Sequence, residues 1–267
     1  MNRVIIKDIY SKNLQRNKRV RIILPLNYDL DNKSYPVIYM HDGQNLIDPS
    51  PFSNHSWEVM ETMDEYYEQL GGVIIVGVDS DSVYRIMEYS NDLNRSAIKR
   101  LKSMNAENIK PEADEYGKFL VEELKPLIDK EFQTKKEKEF TFMAGSSCGG
   151  NISIYLGLKY QDVFSCIGAF SPAYYIVKKG LYEFLDSIEI NQTFRIYHDM
   201  GTKENGFFSK IYFNEQKVFH DYISKKMPKE NLLQVIDEGA THSELHWAKR
   251  FKKFFEFCLN KKVANKN

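Results

Sequence analysis

Gly145-Ser146-Ser147-Cys148-Gly149 has the G-x-S-x-G form in which a serine set between glycines serves as a nucleophile. A serine turned outward on a sharp strand-to-helix bend sits in strained backbone, and small neighbours keep that bend from clashing. The flanks agree: "FTFMA" reads as a strand and "GGNISIYLGL" as a helix. Such a helix would also bring free N–H groups and a positive dipole end beside an attacked carbonyl. Tight packing alone could explain the glycines, but the strand before and the helix after favour the elbow. Two neighbours compete with Ser147. Ser146 would be framed by Ala144 and Cys148, a poorer fit. Cys148 would be framed by Ser146 and Gly150, and a thiolate at a helix N-terminus is activated. A small cysteine is more often packing, so Ser147 is the expected nucleophile.

A serine needs a base and an acid. The strand "FRIYHDMG" runs into "TKEN", which puts Glu204 just past a strand end, with Asp199 inside the strand as the alternative. The strand "LLQVIDEGA" runs into "THSELHW", which puts His242 in the loop before the last helix. Serine, carboxylate, histidine is one of the known chain orders of a hydrolytic triad. His242 would take the Ser147 proton and return it to the leaving group, with Glu204 fixing the tautomer. His246 reads as a surface or packing residue, and His198 lies in a strand. An oxyanion hole needs the N–H of Cys148 and another from an earlier strand's loop. "YMHDGQNLIDP" supplies a strand, a glycine that permits close approach, and then Gln44. His242 and His246 are spaced for two imidazoles on one helical face. Glu244, however, sits midway rather than in the H-E-x-x-H place, so no metal is expected. No Walker or Rossmann glycine fingerprint is present, and no cofactor is expected.

Positioning these residues requires a sheet. "NRVIIKDIYS" and "KRVRIILPLNY" alternate apolar and polar residues around "KNLQRN", the pattern of an antiparallel hairpin. "YPVIYMHDG" and "GGVIIVGVDS" are near-continuous apolar runs, as in strands buried on both faces of a parallel sheet. Between them "SWEVMETMDEYYEQL" has helical periodicity. So has "EYGKFLVEELKPLIDKEF", in which Pro126 marks an expected kink or break. "CIGAFSPA" reads as a further strand, and "KIYFNEQKVFHDYISKKM" and "SELHWAKRFKKFFEFCLNKK" as further helices. Strands alternating with helices after a hairpin predict an α/β sheet, mostly parallel. Residues 80–113 and 173–192 are the least regular, and both read as excursions over the edge where α/β sites sit. No repeat or linker divides residues 1–267, so one domain is expected.

Composition narrows the partners. The 267 residues include 37 Lys plus Arg and 37 Asp plus Glu, a formal net charge of 0, which argues against a dedicated nucleic-acid or membrane-surface binder. Cys148, Cys166 and Cys258 are odd in number and far apart, which suggests neither a disulfide framework nor a CxxC site. The N-terminal stretch has no signal-like apolar region and no run of 18 apolar residues occurs, so a soluble cytoplasmic protein is expected.

"VIYMHDGQNL", "RIMEYS", "LKPLIDKEF", "MAGSSCGG", "FSPAY", "GTKEN" and "GATHSELHW" follow one another as in one esterase branch of the α/β-hydrolases. The chain thus resembles esterase D, feruloyl and acetylxylan esterases, enterobactin esterases and antigen 85-like acyltransferases, over roughly residues 18–258. The resemblance implies an α/β-hydrolase fold, a three-layer sandwich whose mostly parallel central sheet follows an antiparallel hairpin. It implies Ser147 as nucleophile, Glu204 as acid, His242 as base, and Gln44 with Cys148 as oxyanion donors. Cys148 departs from the family, which commonly has Met there, while His242 and Trp247 keep its histidine-to-tryptophan spacing. A serine esterase acting on a small-molecule ester through an acyl-enzyme is the reading. The rivals are a thioesterase of the S-formylglutathione hydrolase kind and a catalytically silent binding protein.

Overall fold

The computed structural model describes residues 3–204 and 209–260. Strands β1 (Val4–Ser11) and β2 (Arg16–Ile23) form the hairpin, with Val4 opposite Ile23 and Ser11 opposite Arg16. Six more strands follow: β3 (Val37–His41), β4 (Ile74–Val78), β5 (Thr141–Ser146), β6 (Cys166–Phe170), β7 (Arg195–Gly201) and β8 (Leu232–Asp237). They make one sheet in the order β1-β2-β4-β3-β5-β6-β7-β8. β2 runs antiparallel to both β1 and β4, and every pair from β4 through β8 is parallel.

Side-chain alternation sorts the central strands between two covering layers. Val37, Tyr39 and Met143 point into one core, Ile38, Met40, Phe142 and Ala144 into the other. With both faces covered, β3, β4, β5 and β6 are buried along their whole lengths, which is why they read as unbroken apolar runs. On the second face lie α1 (Val59–Glu65), α2 (Tyr67–Leu70) and, from the far end of the chain, α10 (Glu244–Leu259). Between them run α3 (Arg85–Glu88), α4 (Arg95–Ser103), α5 (Ala113–Lys118), α6 (Lys125–Glu131), α7 (Cys148–Lys159), α8 (Tyr174–Ser187) and α9 (Ser209–Ile223). Of these, α5 to α9 cover the first face. No described helix is long and apolar enough to cross a membrane.

Several elements differ from the sequence reading. The helix expected over 56–70 is two short pieces: Glu58, left-handed at φ 48°, prevents an earlier start, and Gly71, at φ 85°, closes the second. Pro126 does not break its helix. The chain instead widens into a π-helical segment, Phe119–Leu124, directly ahead of the proline, and continues as α6. Residues 173–192 are not an irregular excursion, because α8 occupies most of them. The 80–113 excursion carries α3 and α4, whose Ile86, Met87, Ala97 and Leu101 form a small core of their own against Ile176 of α8. Asn94 caps α4 through the Ala97 N–H, and its Nδ2 donates to the Tyr175 carbonyl at 3.1 Å. Of the last expected helix, residues 261 and 262 lie outside the described residues.

Candidate active site

Ser147 joins β5 to α7 at φ 57° and ψ −122°, a conformation that costs a non-glycine residue on the order of 1–3 kcal/mol. Four backbone bonds hold it there. Its N–H donates to the Phe170 carbonyl at 2.9 Å, and its own carbonyl accepts from Gly150 at 3.0 Å and from Asn151 and Ala173 at 3.2 Å. Ser146 and Cys148 are buried beside it, and Ser147 is the most exposed of the three. The Cys148 N–H precedes the first intrahelical bond, as the leading N–H groups of a helix do. All three cysteines are free and buried.

Glu204 and His242 come from the loops after β7 and β8, parallel neighbours in the sheet. Backbone bonds zip those loops together: Thr202 N–H to Asp237, Lys203 N–H to Ala240 and His242 N–H to the Glu204 carbonyl, at 2.9–3.0 Å. His242 Nδ1 then lies 2.6 Å from Glu204 Oε2. A carboxylate only accepts, so Nδ1 carries the proton, and whenever the ring is neutral that tautomer leaves the lone pair on Nε2. Tyr212 of α9 and Trp247 of α10 flank the imidazole, with ring centroids at 5.1 and 4.9 Å. Burial pushes the Glu204 carboxyl up. The bond and charge of His242, with hydrogen bonds from Ser171 and the Gly201 N–H, outweigh it and bring the group below its usual value.

Asp199 does not meet His242. Its carboxylate accepts from Tyr197 Oη at 2.8 Å and the Ser171 N–H at 3.1 Å, and lies 3.1 Å from Arg250 Nε of α10. His198 is buried one residue earlier, bonded to His220 and Gln216. His246 turns its Nδ1 to the Thr241 N–H and to the hydroxyls of Thr241 and Ser243, at 3.1–3.3 Å, bracing the turn that carries His242. Among the described residues, no group of three or more His, Cys, Asp or Glu side chains could hold a metal ion.

Ser171 was missed in the sequence. At φ 41°, its hydroxyl donates to Glu204 Oε1 at 2.6 Å while accepting from Trp247 Nε1 at 3.0 Å and Arg250 Nη2 at 2.8 Å. It thus links the strand that pins Ser147 to the carboxylate that holds His242. "FSPAY" was its only signal. Gln44 lies in a single 3-10 turn, Gly43–Asn45, after β3, which pairs with β5. A Cβ at Gly43 would stand 2.6 Å from the Gly77 carbonyl carbon, so only glycine lets this turn approach β4. The Gln44 side-chain amide is taken up by Ser80.

Solved proteins share this arrangement of strands and helices. The chain superposes on the BES protein of Bacillus cereus with a TM-score of 0.74 at 18% identity, covering 97% of this chain and 95% of that one. It matches the enterochelin esterase of Shigella flexneri at a TM-score of 0.73 and 18% identity, over 96% of this chain and 57% of the other. The fold is that of the α/β-hydrolases. In sequence, the Bacillus subtilis protein YbbA is 24% identical over 262 residues, 96% of this chain and 98% of YbbA. Residues 11–257 match the family described as "Putative esterase"; the chain belongs to that family and to the carboxylic ester hydrolases.

Proposed function

We propose that the protein is a serine esterase that hydrolyses small-molecule carboxylic esters through an acyl-enzyme. The observation that carries the reading is Ser147, half-buried and held at φ 57° and ψ −122° at the head of α7. In this mechanism Ser147 Oγ attacks the ester carbonyl while His242 Nε2 takes its proton. Glu204 keeps the ring in the required tautomer and stabilises the imidazolium. The N–H groups of Cys148 and Gln44 receive the oxyanion, the alcohol departs with the proton from His242, and a water activated by the same imidazole releases the acid. The chain is read as one domain.

A fluorophosphonate probe should label the wild type and not Ser147→Ala, and p-nitrophenyl esters of graded chain length should be turned over only by the former. His242→Ala should approach the loss seen with Ser147→Ala, because triad members act as a unit, whereas His246→Ala should stay within about tenfold of wild type. Loss of turnover in Cys148→Ala with activity kept in Ser147→Ala would sink the assignment. Parallel assays with feruloyl esters, acetylated sugars and a matched thioester would separate esterase from thioesterase.

A further inference from the structure

We infer that Arg85, acting through Asp42, is a positioning residue for the oxyanion loop. The inference rests on the esterase reading. Asp42 follows β3 in a left-handed conformation, φ 57° and ψ 49°, directly before the turn that carries Gln44. Asp visits that region more readily than most residues, yet it needs outside support to stay there. Arg85 supplies it as a fork: Nε donates to Oδ1 at 2.7 Å and Nη2 to Oδ2 at 2.8 Å. Ser80 closes the ring. Its hydroxyl donates to Asp42 Oδ1 at 2.6 Å and accepts from Gln44 Nε2 at 3.0 Å, while its N–H donates to Gln44 Oε1 at 3.0 Å. From the other side, Asn45 Nδ2 donates to Glu244 of α10 at 3.2 Å.

The clamp has its own anchor. Glu88, one turn beyond Arg85 on α3 and fully buried, accepts from Lys18 Nζ at 2.7 Å and Arg16 Nε at 2.9 Å, both on β2. The short helix that carries Arg85 is therefore tied to the sheet through Glu88, as well as to the preceding loop through the Arg85 N–H, which donates to the Asp81 carbonyl. Charge gives it a second task. A Cβ at Gly149 would lie 3.4 Å from Asp42 Oδ2, so this carboxylate sits against the first turn of α7, next to Ser147. Unpaired, it would repel the negative charge that develops on the attacked carbonyl; paired with Arg85 it leaves the N–H groups to dominate.

An oxyanion donor acts in the transition state and not in the ground state, so its displacement lowers kcat and leaves KM nearly unchanged. For Arg85→Ala, kcat per site, with sites counted by fluorophosphonate titration, should fall about 100-fold, the scale of a lost oxyanion donor. KM should stay within about threefold. Arg85→Lys, which restores charge without the fork, should recover part of the loss. Arg85→Ala with Asp42→Asn should exceed Arg85→Ala alone, because the unpaired carboxylate is gone. Arg85→Lys and Asp42→Asn also carry the test if Arg85→Ala does not fold. A per-site kcat within twofold of wild type, or a loss confined to KM, overturns the inference. A wild type that the probe does not label instead defeats the esterase reading.

Discussion

The Ser171 hydroxyl is placed where three side chains converge, and each depends on it differently. Glu204 gains an acceptor bond, and the Trp247 N–H and one Arg250 N–H, both buried, find their acceptor there. Removing the hydroxyl strands two buried donors at roughly 1–3 kcal/mol each. Ser171→Ala should lose about 3 kcal/mol in urea unfolding and lower kcat/KM, because Glu204 Oε1 is then held only by the Gly201 N–H and its grip on the carboxylate facing His242 weakens. Ser171→Gly lacks the same hydroxyl but relieves the positive φ, so it should unfold about 1 kcal/mol later than Ser171→Ala. Equal stabilities for the two variants would show that the backbone there bears no strain.

Helix α7 delivers Ser147 because it lies very close to the sheet. A Cβ at Gly157 would fall 2.2 Å from Ile167 Cγ2 on β6, a separation that no side chain tolerates. Alanine is favoured over glycine in a helix by about 1 kcal/mol, yet Gly157→Ala should destabilise by about 2–3 kcal/mol, because overpacking exceeds the propensity gain. Ile167→Ala removes the methyl in the way. The double variant should therefore be less destabilised than the sum of the singles by at least 1 kcal/mol in denaturant titrations. Additive losses would mean that helix and strand can part without cost. The same closeness explains why "GGNISIYLGLKY" reads correctly as a helix though its moment is weak: α7 is buried nearly all round, so periodicity has little polar face to mark.

Across the whole molecule, charges balance in number but not in place. Arg250 serves one buried and one partly exposed carboxylate, with Nε 3.1 Å from Asp199 Oδ2 and Nη1 3.4 Å from Asp237 Oδ2, while Glu204 lies in the same patch. Burial raises the Asp199 carboxyl to about 6; Arg250, Tyr197 and Ser171 oppose it only in part, and Glu204 adds to it. A carboxyl raised in the folded state contributes stability that is present below its unfolded value of 3.8 and lost as pH rises through about 6. Two units correspond to about 3 kcal/mol. The stability of wild type relative to Asp199→Asn should therefore fall by about that amount between pH 4 and 7 in urea titrations; parallel profiles would refute it. Glu204 runs the other way: its lowered carboxyl adds stability above its usual value of 4.5, lost as pH falls through the folded one.

The order of strands and helices, the elbow around Ser147, and the placing of Glu204 and His242 past strand ends were legible in the residues. Periods of two and 3.6, glycine spacing and strand termini are local patterns, settled by neighbours in the chain. The partners of those residues were not. Asp199 and Glu204 are five positions apart and both carboxylates; β7 turns the first toward Arg250, and the zipped loops bring the second to His242. Ser171 meets Arg250 across 79 residues, and Asp42 meets Arg85 across 43. Contacts at such separations depend on which strands lie side by side and which helix covers them. Packing of the assembled sheet decides that, and no local pattern records it.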